Sequence, residues 1–420
     1  MKISKHTSID QIADPWKTIA RNDSLYLHPT WIRGSEPESE EDRMYGLAYE
    51  ESVPIGGIAV RRINGNVFAT YDPVEALFAT PEPEVHDIHT EALTGHSGQG
   101  ETLGAEQRRL FQSQQRLAEC KERLQPAAVA LLPGSYVAGL VRSTFDSRKD
   151  LETMSELARR PGLDEVAVLN GLIDFLEDVA DRWRTDLRSV MHVPEEDKTL
   201  VRVLQKRGYI GCVVTAQCEI PVPENGFEGY LSGLSGDRRR KVRKELAGFE
   251  RSGFVVRRLG ADALNDDALA WRMAELQANQ LKRYGHNVSV ERLRGIVEQA
   301  ATSLSPWARV VVAEREGEVE AFVLSYADGT TIYPKMAGWT EAARQAGCYF
   351  VLGYYEQIKQ AGEAGLRVVN MGPEAFYPKV RRGAQLRPRM MFVRTAGGEI
   401  PGLRETMESL DALHRRRIGV

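Results

Sequence analysis

RVVVAEREGEVEAFVLSYADGTTIYPKMAGW, residues 309–339, has the layout of GLAYEESVPIGGIAVRRINGNVFATYDP, residues 46–73. Each reads as a strand, a charged turn, a longer apolar strand, a turn with a glycine (Gly329 or Gly65) and a third strand carrying an aromatic residue. That order is an antiparallel meander, with NGN at 64–66 as a hairpin signal in the first copy. A second match follows in the same order. FLEDVADRWRTDLRSVMHVPEE from Phe175 aligns without a gap with YYEQIKQAGEAGLRVVNMGPEA from Tyr354, setting LRSV against LRVV and Pro194 against Pro373. One such match arises easily by chance; two in the same order point to a duplicated unit.

The flanking segments extend the pattern. In the first half a helix is predicted from Ile9 to Arg21, then an acidic surface loop, SEPESEEDR, at 35–43. A loop rich in Pro, Gly, Thr and His covers 80–103, and an amphipathic helix over 105–124 turns Leu110, Leu117 and Leu124 to one side. AAVALLP (127–133) reads as a short buried strand, followed by a loop near Ser147 and a helix placing Leu172, Phe175, Leu176 and Val179 on one face. A strand at 186–194, a helix stopped at Gly208 and a long strand ending at Pro221 and Pro223 close this half. The domain boundary is placed there, giving domains 1–224 and 225–420. The second half runs basic segment, strand (254–259), two helices (267–285 and 290–301) and meander. The fold class is α/β (α+β): two similar domains, each a mixed sheet with helices on both faces.

Composition narrows the function classes. With 420 residues, 27% charged and 42% hydrophobic, the chain is long enough for two or three cores and too polar for a membrane protein. No apolar run approaches a spanning length, and MKISKHTSIDQIADPW lacks a secretory apolar stretch, so the cytoplasm is the expected location. Cys120, Cys212, Cys218 and Cys348 form no CxxC pair, and only His86 and His89 stand close together, which argues against a disulfide framework or a structural zinc. A net charge of -4 argues against a DNA-wrapping surface but leaves room for a local basic stripe.

Such a stripe exists. GDRRRKVRKELAGFERSG (236–253) sets Arg238, Arg239, Arg240, Lys241, Arg243 and Lys244 in two helical turns while Val242, Leu246 and Phe249 keep an apolar face. Either it binds an anion or it is a solvated face answered by Glu245 and Glu250 through helix-spaced pairs. Two other segments stand out: WTEAARQAGCYFVLGYYEQIKQAGEAG (339–365), a loop opening a helix, and VVNMGPEAFYPKVRRGAQLRPRMMFV (368–393), a strand ending in a glycine loop.

The duplicated layout together with these segments resembles the Gcn5-related N-acetyltransferase (GNAT) fold occurring twice, as in the FemABX-like, peptidoglycan biosynthesis-like acyltransferases of bacteria. The resemblance spans residues 45–395. It implies transfer of an acyl group to an amine without a metal or redox cofactor, the donor being aminoacyl-tRNA or acyl-CoA. GNAT enzymes hold the coenzyme A pyrophosphate on a (Q/R)xxGx(G/A) loop; here Arg344 and Gly347 match and Tyr349 replaces the small third residue. Arg239, Arg240 and Arg243 would join Arg344 and Gly347 in holding donor phosphates. The closing segment resembles the Fem-like motif and would gather Asn370, Glu374, Tyr377 and Lys379 at a strand's carboxyl end. Acyl transfer needs a base for the ammonium proton and a donor to the oxyanion, roles for Glu374 and for Lys379 or Tyr377. Tyr284, in the K-x-Y-G corner before Gly285, would line the acceptor pocket with Asn370; the neighbouring His286 is a cap or a base. PEED at 194–197 lacks the matching Tyr and Lys, so the first domain reads as catalytically degenerate.

Three readings follow. The first is an aminoacyl-tRNA-dependent N-acyltransferase acting on a cell-wall precursor or small metabolite. The others are an acyl-CoA-dependent N-acetyltransferase and a non-catalytic ligand-binding protein of the same fold.

Overall fold

The computed structural model describes residues 1–20, 25–34, 39–63, 72–81, 99–124, 127–131, 140–142 and 164–420. The NGN hairpin, the third strand expected over 67–71, the His86 and His89 loop and the loop near Ser147 lie outside the described residues.

The first half contributes strands β1 (Lys2–His6), β2 (Arg43–Glu50), β3 (Val53–Ile63), β4 (Ala127–Leu131), β5 (Leu140–Arg142), β6 (Leu187–Pro194) and β7 (Ile210–Pro221). The second contributes β8 (Val255–Leu259), β9 (Ala308–Arg315), β10 (Glu318–Ala327), β11 (Thr331–Trp339), β12 (Val368–Asn370) and β13 (Gln385–Thr395). By packing the chain forms two units, Met1–Gln217 with Arg387–Val420, and Cys218–Leu386.

In the first unit β1, β2, β3 and β4 pair antiparallel in that order, with β5 also beside β3. β4 then pairs in parallel with β6, Ala127 opposite Leu187, and the helix Glu165–Trp183 leads into β6. Leu172, Phe175, Leu176 and Val179 of that helix are buried as the spacing predicts. Leu110, Leu117 and Leu124 are likewise buried, in a core with Val129, Leu187 and Met191. The helix that carries Leu110 and Leu117 begins at Gln99, inside the segment expected to be a loop. The amino-terminal helix is a 3-10 turn (Ile9–Ile12) followed by Ala13–Ile19, which seats Trp16 against Tyr45.

Packing groups the elements differently from their order along the chain. β13 and the closing helix Leu403–Ile418, counted with the second half by sequence, belong from Arg387 onward to the first unit. β13 pairs antiparallel with β6, Arg389 opposite Pro194, and Met407, Leu410 and Leu413 enter the first unit's core. Conversely, Glu219–Pro221 of β7 pair with β12 in the second unit. A repeat locates copies along the chain, but strand partners are chosen by register and burial, which are not local. Glu195 and Glu196 of the PEED segment bond to Arg415 (2.7 Å) and Arg389 (3.4 Å) within the first unit.

In the second unit β8, β9, β10 and β11 form an antiparallel meander and β12 runs parallel beside β11. The helix Asp267–Arg283 lies directly on β11: a Cβ on Gly338 would come within 2.4 Å of the Leu276 carbonyl carbon. It stops as predicted at Gly285 (φ 80°), where the amides of Gly285 and His286 return to the carbonyls of Lys282 and Leu281. No helix among the described residues is long and apolar enough to cross a membrane.

Candidate functional site

β11 and β12 pair through only two residue couples, Thr331 with Val368 and Ile332 with Val369. β12 ends at Asn370 while β11 continues to Trp339, so the sheet opens at the carboxyl ends of two parallel strands. Such a gap is where α/β folds accept ligands. β11 is itself irregular at this point. Leu324 pairs with Met336 and Ser325 with Pro334, which leaves Lys335 as the extra residue of a β-bulge. A bulge re-aims a side chain. The Lys335 ammonium lies 5.7 Å from the centre of the Tyr333 ring, and the Tyr333 hydroxyl donates to Asp328 at 2.7 Å. Lys335 is half-buried; desolvation, and then the charge of Lys379, lower its pKa from 10.5 to about 7. The sequence motifs do not single out Lys335; a proline inside a strand, Pro334, is the available signal for the bulge.

The loop after β12 carries the other residues. Asn370, buried, accepts the Gly372 amide through Oδ1 at 2.9 Å. Gly372, Glu374 and Ala375 all have positive φ (70°, 60° and 48°), a conformation uncommon for the last two. Lys379, on the short helix Phe376–Val380, is buried and reaches back to this loop, donating to the carbonyls of Gly372 at 3.2 Å and Pro373 at 2.8 Å. Asn370, Glu374, Tyr377 and Lys379 thus sit on one continuous turn after β12, and Lys335 faces Lys379 closely enough to feel its charge.

A buried arginine ties this turn to the basic helix Gly236–Glu250. Arg382 donates to Glu245 at 2.6 Å, to the Tyr355 hydroxyl at 3.2 Å and to the Pro378 carbonyl at 3.0 Å. Its guanidinium carbon lies 3.4 Å from the centre of the Phe350 ring. Tyr355 also donates to Glu245. Glu245 therefore answers Arg382 on a distant segment; the helix-spaced pairing expected for it from sequence is replaced by this contact. Val242 and Phe249 are buried and Leu246 half-buried, so the cations face outward. Arg240, Lys241, Arg243 and Lys244 are exposed, Arg240 with an Asp237 partner at 3.4 Å. Arg239 is half-buried and donates to the Leu234 carbonyl at 3.2 Å.

The loop that opens the next helix departs from a pyrophosphate cradle. Gly347 has the left-handed conformation (φ 82°) and precedes the helix Cys348–Phe350, a π turn (Val351–Tyr355) and the helix Glu356–Glu363. Arg344 bonds to Glu341 (3.0 Å from Nε), which also pairs with Arg283; these hydrogen bonds hold Glu341 down at about 2. The Tyr349 hydroxyl bonds to that of Tyr354 at 3.1 Å, and its ring packs on Trp339 and Phe350 at 5.1 and 4.9 Å. Burial raises the Tyr349 pKa. An aromatic cluster thus takes up the third position of the loop, and its arginine is already matched by a carboxylate. Tyr284 is 70% exposed beside this loop, close enough for its phenol to act electrostatically on Tyr349. His286 lines a separate shallow depression with Asn279, Lys282 and Ser289.

Residues 236–379 match the family model for the acetyltransferase (GNAT) domain. No curated protein matches the chain in sequence. Among solved structures, FemX is similar over 94% of this chain and 98% of its own, at 10% identity and a TM-score of 0.53. A tandem GNAT protein from the clavulanic acid biosynthesis pathway is similar over 95% of this chain and 100% of its own (10% identity, TM-score 0.48). L-PGS from Bacillus licheniformis is similar over 70% of this chain and 84% of its own (14% identity, TM-score 0.40).

Proposed function

For a chain that is a tandem GNAT, FemABX-like acyltransferase in fold, we propose transfer of an aminoacyl group from aminoacyl-tRNA to an amine of a cell-wall precursor or small metabolite. The observation that carries the choice of donor is the loop at 344–349. A coenzyme A pyrophosphate needs small residues and unpaired N–H groups at the helix entry. Here Tyr349 packs among Trp339, Phe350 and Tyr354, and Arg344 is held by Glu341. A donor whose phosphates run along the protein surface does not depend on that cradle. The outward cations of the basic helix suit such a backbone, and Arg382 with Glu245 fixes the helix to the turn bearing Lys379. Arg240 and Arg243 contact donor phosphates; Asn370, Glu374 and Tyr377 meet the acceptor amine, Tyr284 forms the outer wall, and Lys379 donates to the carbonyl oxygen as it becomes an oxyanion.

The test is product formation from a mixture of charged tRNAs and a panel of amines, before and after ribonuclease. Loss of product on digestion supports the reading. Product formed from acetyl-coenzyme A and indifferent to ribonuclease would establish the acyl-CoA reading, and ligand binding with no product mass would establish a binding protein.

A further inference from the structure

We infer that Lys335 is the general base of the acyl transfer, taking the proton from the acceptor's ammonium across the β11–β12 opening while Lys379 serves the acyl oxygen. The assignment rests on reading that opening as the acyl-transfer site. Three observations carry it. Lys335 is the bulged residue of β11, three positions beyond the last couple that joins β11 to β12, so its side chain is redirected where the strands part. Lys379, on the short helix after β12, has its ammonium fixed by the Gly372 and Pro373 carbonyls of the loop that follows β12. The titratable groups on the elements around β11 are Tyr333 on the same strand, Asp328 in the turn before it, Glu318, Glu320 and Tyr326 on β10, Arg272, Glu275, Lys282 and Arg283 on the helix Asp267–Arg283, Glu219 on β7, Glu374 in the loop, and Tyr377 and Lys379 on the short helix. The charge of Lys379 acts on Lys335, and together with burial it leaves much of the Lys335 amine neutral at about pH 7. Lys335, whose amine is lowered, and Lys379, held by two carbonyls, divide base work and oxyanion donation between them. Glu374, nominated for the base by sequence, then attracts the ammonium into the site.

The step balances. The acceptor R–NH3+ passes one proton to Lys335 Nζ, and the freed lone pair forms the C–N bond. The acyl–oxygen bond to the tRNA ribose breaks as the second nitrogen proton goes to the leaving ribose oxygen. Lys335 then returns its proton to solvent.

The experiment has two arms on the full chain. In the first, acetic anhydride labels lysines across a pH series and mass spectrometry reads each site. The Lys335 midpoint is expected near 7 and should rise in Lys379→Met. In the second, charged tRNA is offered hydroxylamine, neutral near pH 7, or an alkylammonium acceptor that must first lose a proton. Lys335→Met and Lys335→Arg should cut kcat/KM for the alkylammonium acceptor by roughly a hundredfold, the usual range for general base catalysis, and leave hydroxylamine within about twofold. A labelling midpoint near that of ordinary lysine, or equal losses with both acceptors, would overturn the assignment. Wild-type protein that uses neither acceptor overturns the acyl-transfer reading itself, and the base role falls with it.

Discussion

Arg382 and Glu245, 137 residues apart, form an ion pair at 2.6 Å with the arginine side chain almost wholly buried. The pair clamps the basic helix to the turn that carries Lys379. Removing one partner leaves the other charge buried and uncompensated, which costs about 3–5 kcal/mol. Arg382→Met and Glu245→Gln should each lower the melting temperature markedly. The double variant should be destabilised by less than the sum of the two, since the uncompensated charge is then absent. Additive effects in denaturant titrations would show that the two residues act independently.

The outward cations of the basic helix should govern donor binding through phosphate contacts. Arg240→Ala and Arg243→Ala should weaken tRNA binding while the fold persists, because both side chains are exposed. Each cation removed should also reduce the slope of log affinity against log salt by about 0.7–0.9. Filter binding over a salt series reads both quantities; unchanged slopes in both variants would leave the helix as a solvated face.

Tyr349 divides the donor readings. Tyr349→Ala removes a half-buried ring packed on Trp339 and Phe350 and should destabilise the protein by roughly 1–3 kcal/mol, less than for a fully buried aromatic. Calorimetric titration with coenzyme A should register no binding in wild type or variant. Tight binding by wild type would return the loop to the role of a pyrophosphate cradle.

Lys379→Ala tests the oxyanion role. Turnover should fall by about ten- to a thousandfold with donor affinity little changed, as expected of an interaction made in the transition state. Lys379 also anchors the Gly372 and Pro373 carbonyls, so Lys379→Arg serves as a control that keeps a donor there. A rise in KM with kcat intact would make Lys379 a binding residue.

Lys335 makes stability depend on pH in a specific direction. Its pKa falls from 10.5 to about 7 on folding, so the unfolded chain holds a proton that the native state releases between those values. The penalty is complete below about 7, shrinks as pH rises, and vanishes above 10.5. Lys335→Met should therefore raise the melting temperature at neutral pH, and the gain should fall away toward pH 10.5, leaving a pH-independent packing difference. A gain that is constant across the series would mean that Lys335 titrates as an ordinary lysine.

The duplicated α/β architecture was legible in the sequence because meanders, caps and amphipathic helices are written in local periodicity. Leu172, Phe175, Leu176 and Val179 are buried as their spacing requires, and Gly208 and Gly285 end helices with positive φ. Asn370, Glu374, Tyr377 and Lys379 were legible as a cluster for the same reason, since they lie within ten residues of chain. What tertiary structure alone decided is everything that depends on contact between distant segments. β13 joins β6 and the end of β7 joins β12, Glu245 turns from its own helix to Arg382, and Arg344 is held by Glu341. Lys335 shows the difference most directly. Its residue type is ordinary and no catalytic motif surrounds it, while its chemistry comes from a bulge in the pairing with β10, from burial, and from a second ammonium 44 residues further along the chain. Register and electrostatic environment belong to the folded whole, whereas hydrophobic periodicity belongs to each stretch of chain separately.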